Sequence, residues 1–146
     1  MKPRNCWSVL TQKAQDEEDT AQTALAQARA RVLELQQSRE RMNDLLEDYK
    51  QKTLAAQAQV QTMSQATNSR QFLLQLLSLV SRVDQDLQMA LRELEQAKAV
   101  SLQASHQRMK METMQEKDLQ AVQAWQRKQE QKQMDALGVT LYNLKA

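Results

Sequence analysis

SQATNS (Ser64–Ser69) carries no large apolar residue, and its reading separates two architectures. Ser, Thr and Asn side chains hydrogen-bond nearby backbone and so favour caps and turns. If the stretch is a turn, the flanking helices fold back on each other. If it is not, about 130 residues form one helix near 200 Å long. A short polar connector between two segments of helical periodicity favours the antiparallel hairpin. Asn68 or Ser69 then caps the second helix, with Gln71 completing a capping box to Asn68. This reading puts helix 1 at about 5–64, the turn at about 65–69, helix 2 at about 70–137 and a C-terminal tail at 138–146. All of it belongs to one coiled-coil unit, 1–146.

Composition on either side supports long helices. The only proline is Pro3 and the only glycine is Gly138, so the usual helix breakers are missing from almost the whole length. Gln, Ala, Leu, Lys, Glu, Arg and Met fill the interval, unbranched residues that lose little rotamer freedom in a helix. The expected fold class is all-α, a long antiparallel two-helix coiled-coil hairpin.

Apolar or small residues recur in steps of four and three. On helix 1 the series is Leu10, Ala14, Ala21, Leu25, Ala28, Val32, Leu35, Met42, Leu46, Tyr49, Ala56, Val60 and Met63, interrupted by Glu17 and Arg39. On helix 2 it is Phe72, Leu76, Leu79, Val83, Leu87, Ala90, Leu94, Ala97, Ala104 and Met111. With a turn near 66–67, facing residue numbers add to about 133. Leu46 then meets Leu87, Leu35 meets Lys98, Leu10 meets Gln123, and Arg39 faces Leu94 between Glu93 and Glu95. Residues beyond about 128 project past the pair as an overhang. The object expected is a rod with arms of about 60 residues, or about 90 Å.

Charge excludes several partners. The chain has 20 basic and 18 acidic side chains, spread with no basic arm or acidic tail. Nucleic acid is therefore not an expected partner, since backbone binding needs a lysine- or arginine-rich stripe. Cys6 is the only cysteine, which rules out an internal disulfide and suits a cytoplasmic setting. The N-terminus MKPRNCWSVL lacks the apolar core of a secretory signal. No apolar run approaches the roughly 20 residues of a membrane span, so no membrane insertion is expected.

Catalysis is not expected either. Two paired helices offer no water-excluding pocket. His106 stands alone, with no second ligand at zinc spacing, and Cys6 has no histidine to activate it. The acidic cluster DEED (Asp16–Asp19) reads as a solvated face, because successive helical residues point in different directions. No metal and no cofactor are expected. Met109, Met111 and Met114 read as seam filler, or else as an adaptable binding surface. Trp125 either covers the seam's end or anchors a partner.

The densest apolar run is QFLLQLLSLVSRV (Gln71–Val83), where seven of the nine residues from Phe72 to Val80 are apolar. A two-stranded seam uses about two positions in seven. Phe72, Leu76, Leu79 and Val83 fill one line, leaving Leu73, Leu74, Leu77 and Val80 around the cylinder. Such surplus marks a protein contact, or self-association into a larger bundle.

Four blocks in order resemble the flagellar export FliJ family: VLTQKAQDEEDTA (Val9–Ala21), MNDLLEDYKQ (Met42–Gln51), QFLLQLL (Gln71–Leu77) and QEQKQMDAL (Gln129–Leu137). The last is close to that family's terminal Gln-Lys-x-Met-Asp-Glu pattern. Here Ala136 stands where the family usually has Glu, and Gly138 where it usually has Ala. The resemblance implies a coiled coil similar to the gamma subunit of rotary ATPases, without enzymatic activity. It implies three partners: the hexameric export ATPase FliI, the cytoplasmic domain of the export gate protein FlhA, and substrate chaperones. By that resemblance the gate-facing surface comprises Phe72, Leu76, Met42, Tyr49, Leu73 and Leu77. The ATPase ring would meet Gln131, Lys132, Met134, Asp135 and Trp125, with Trp7 at the same end. The expected state when free is a monomer, peripheral to the inner membrane at the flagellar base. Two other readings share the architecture: the stalk of a virulence injectisome, and a self-associating structural coiled coil.

Overall fold

The computed structural model describes residues 2–57 and 62–145. Two helices account for nearly all of them, α1 (Asn5–Gln57) and α2 (Met63–Lys145), and no strand occurs among the described residues. The fold is all-α, with the two helices packed against each other. No helix among the described residues is long and apolar enough to cross a membrane. Contacts group the chain into two compact units, one of residues 1–21 with 101–146 and one of residues 22–100.

Ser64–Ser69 is not the turn. It lies inside α2, whose start is fixed by a capping box six residues earlier than the one expected at Asn68. The Gln65 backbone N–H donates to Thr62 Oγ1 at 3.3 Å, and Gln65 Oε1 accepts from the Thr62 N–H at 3.4 Å. The Thr62 carbonyl accepts the first helical bond, from Ala66, at 3.1 Å. Two otherwise orphaned amides are thereby satisfied reciprocally. Met63, assigned to the helix 1 seam, is instead the first residue of α2 and 87% exposed. Val60, also assigned to that seam, lies outside the described residues. The expected C-terminal tail is helical too. Gly138 has no positive φ, so it does not break the ladder, and α2 continues to Lys145.

The pairing register differs as well. In the 22–100 unit, the core is Val32 and Leu35 of α1 against Leu87 and Ala90 of α2, flanked by Leu91 and Leu94. Leu35 was expected beside Lys98, and Leu46 opposite Leu87. Arg39, expected to face Leu94 between two glutamates, instead pairs through Nε with Asp84 Oδ1 at 2.9 Å. The shift is about three helical turns toward the hairpin end. Within this unit α1 buries or half-buries Leu25, Ala28, Val32, Leu35, Met42, Leu46 and Tyr49, the positions read from sequence. Ser38 occupies the inner side beside Arg39, leaving the guanidinium half in solvent.

In the other unit, α1 residues 5–21 lie antiparallel to α2 residues 101–122. Ala14 and Ala21 are buried as expected. The seam passes through Thr11 and Glu18 rather than Leu10 and Glu17. The chain enters α1 through Arg4, whose carbonyl accepts from the Trp7 N–H at 3.2 Å. Its own N–H donates to Asp118 Oδ2 at 2.9 Å. α1 is thus exhausted opposite Asp118, and the overhang begins nearer 123 than 128. From 123 to 145 every residue but Gln129 is exposed.

Candidate protein-interaction surfaces

The apolar run of α2 divides differently from the sequence reading. Burial follows Leu73, Leu76, Val80 and Val83, all buried or half-buried. Phe72 and Leu79, placed on the seam, are 45% and 46% exposed. Both lines step by four and three and share Leu76 and Val83, so the repeat alone cannot choose between them. The choice puts Phe72 and Leu79 on one flank of the seam, and Leu74 and Leu77 on the other.

Phe72 is held where it emerges. Its ring lies 4.6 Å from that of Tyr49, tilted by 55°, an arrangement that aligns the positive edge of one ring with the negative face of the other. The Tyr49 hydroxyl donates to the Ser69 carbonyl at 3.4 Å. A cleft of about 250 Å³ beside them is lined by Thr53, Gln57, Ala66, Ser69, Arg70 and Leu73, below the usual range for a small-molecule site. Leu45 and Leu54 of α1 are also exposed. Of the residues expected at the gate, Phe72 and Leu77 are therefore exposed, while Met42, Tyr49 and Leu73 are half-buried. Leu76, at 3% exposure, belongs to the packing between the helices. A partner reaches it only by parting them.

The second surface lies in the other unit. Trp125, Gln131, Lys132, Met134 and Asp135, expected to meet the ATPase, are all exposed on the overhang of α2. Gln131 Nε2 donates to Asp135 Oδ1 at 3.2 Å. Sequence reasoning missed the rest of this surface, because it assigned 138–146 to a tail. As helix, Met134, Leu137, Leu141 and Leu144 align on one stripe, all exposed. The spacing 134, 137, 141, 144 was the available signal.

Electrostatics corrects one further reading. Glu18 of the DEED cluster is 6% exposed, not on a solvated face. Arg108 Nε donates to its carboxylate, and Arg108 Nη1 donates to both Glu112 oxygens at 3.0 and 2.9 Å. The hydrogen bond to Glu18, then that to Glu112, raises the Arg108 pKa above its ordinary value, so the guanidinium stays charged at any working pH. No group of His, Cys, Asp and Glu suited to a metal occurs among the described residues. A groove of about 700 Å³ along Met109, Glu112, Thr113, Glu116, Lys117 and Gln120 lies on one helix.

Compared with known protein families, the chain matches the one described as flagellar FliJ protein over residues 8–146. It belongs to the FliJ family. Its function is accordingly flagellar export-related and non-enzymatic, within the export machinery. No curated protein and no solved structure matches it. In this FliJ-family chain, then, the two exposed apolar surfaces stand as candidate contacts with export partners.

Proposed function

We propose that this chain acts as a central-stalk-like coiled coil that couples the export ATPase ring to the export gate. The overhang of α2, carrying Trp125, Gln131, Lys132, Met134 and Asp135, enters the FliI hexamer. Phe72 and Leu77, exposed on opposite flanks of the seam and backed by Tyr49, Met42 and Leu73, meet the cytoplasmic domain of FlhA. Substrate chaperones are further clients, and the setting is the inner-membrane face at the flagellar base. The observation that supports this most is the presence of two separate exposed apolar surfaces, one in each unit, in a FliJ-family chain. Exposed apolar patches of this kind mark protein contacts.

The coupling needs no chemistry in this chain. An asymmetric helical element in a six-fold ring touches each subunit differently and so biases the order of hydrolysis. Its other surface shifts the gate by binding one gate state better than another. Phe72→Ala with Leu77→Ala weakens binding to purified FlhA cytoplasmic domain and leaves stimulation of FliI hydrolysis intact. Met134→Ala with Leu137→Ala does the reverse. If both pairs lower both readouts equally, the two-surface assignment is wrong. A failure of the wild-type chain to stimulate the ATPase rejects the stalk itself.

A further inference from the structure

The unit formed by residues 1–21 and 101–146 has an unusual seam. On α1 it runs Trp7, Thr11, Ala14, Glu18, Ala21, with no aliphatic side chain larger than alanine. Opposite it α2 offers Ser101, Ala104, Arg108, Gln115 and Asp118, with Met111, Met114 and Val122 as the larger apolar groups. Alanine brings the helices close but removes little apolar surface from water. Attachment therefore falls to charge: the Arg108–Glu18 pair, and Asp118 on the Arg4 backbone N–H at 2.9 Å with Arg4 Nε at 3.9 Å.

Charge is a poor adhesive here. The desolvation of a buried pair cancels most or all of its Coulomb attraction. Thr11 Oγ1 is also buried without a hydrogen-bond partner, a further cost. The 22–100 unit, by contrast, joins its helices through Leu25, Val32, Leu35, Met42 and Leu46. We infer that residues 4–21 are a detachable strap, which opens from α2 while the helices of the 22–100 unit stay paired. Opening uncovers Met111, Val122 and the small residues of α2, extending the exposed part of α2 from 123–145 back to about 101. A partner that grips the overhang gains this additional helix face by displacing the strap. Regions with few buried apolar contacts open at free energies far below that of global unfolding.

Hydrogen exchange on the full chain, read by mass spectrometry at neutral pH, tests the strap. Amides of 8–21 exchange at least about tenfold faster than those of 25–49, after correction for intrinsic rates. Replacing the facing ions by the residue used elsewhere in the seam, E18L with R108L, slows exchange of 8–21 by about tenfold and leaves 25–49 unchanged. Thr11→Val, which removes only the unpartnered hydroxyl, shifts exchange in the same direction and decides the matter if the double variant misfolds. Equal protection of the two segments in the wild-type chain overturns the inference. So does a folded E18L/R108L chain whose 8–21 amides exchange as before.

Discussion

Leu76 and Leu79 test the seam most directly, because sequence periodicity placed both inside and the structure separates them. Leu76 is 3% exposed and Leu79 46%. Leu76→Ala removes three carbons from a buried site, about 2.4 kcal/mol at about 0.8 kcal/mol per methylene. A residual cavity normally adds to this. Here the seam is two helices wide and open on both sides, so neighbours close in and the added term is small. The expected cost is about 2–3 kcal/mol, toward the lower end of leucine truncations. Leu79→Ala loses less burial and gains helix propensity, for a net change within about 0.5 kcal/mol. At about 2–4 °C per kcal/mol for a chain of this length, Leu76→Ala lowers Tm by about 4–12 °C and Leu79→Ala by no more than about 2 °C. Urea and thermal melts followed by far-ultraviolet circular dichroism measure both. A Leu79→Ala chain destabilised as much as Leu76→Ala would refute the seam phase, and with it the exposed flank assigned to gate binding.

Three further outcomes follow from local geometry. Thr62→Ala removes the hydroxyl that caps α2 and costs about 1 kcal/mol, read in the same melts; no change would mean that the helix starts elsewhere. Gly138→Ala places a methyl where nothing lies within 4 Å and strengthens the terminal helix by about 0.5–1 kcal/mol, seen as increased helicity and slower exchange around 134–142. Phe72→Ala removes the contact with Tyr49 and costs about 1 kcal/mol beyond lost burial, while Leu74→Ala, at 65% exposure, leaves stability within about 0.5 kcal/mol.

Two long helices were legible because the sequence between Pro3 and Gly138 contains neither breaker. Their pairing partners were not. A heptad repeat looks the same after a seven-residue slip, so the series on each helix constrained a spacing and not a register. Thr62-x-x-Gln65 and Asn68-x-x-Gln71 are equivalent capping signals, and Met63 looked like one more seam residue because it is apolar. The leucine run was ambiguous for a related reason: where nearly every position is apolar, two phases fit equally well. Glu18 was misplaced because acidic residues were assumed to face water, whereas Arg108, distant in sequence, helps make its burial tolerable. For the candidate surfaces, the exposure of Phe72 and Leu77 was partly legible. Leu76 was not, since its burial depends on that phase. The stripe past Gly138 was hidden by reading glycine as a stop.

That last stripe is rotated with respect to the line along which α1 lies on α2. Counted at 3.6 residues per turn, Met134, Leu137, Leu141 and Leu144 point a little over a quarter of a turn away from Met111, Asp118 and Val122. Additional length on the first helix, continuing in its present direction, would reach only the near edge of this stripe. Full cover for its outer side would have to arrive laterally, from a direction the first helix does not take.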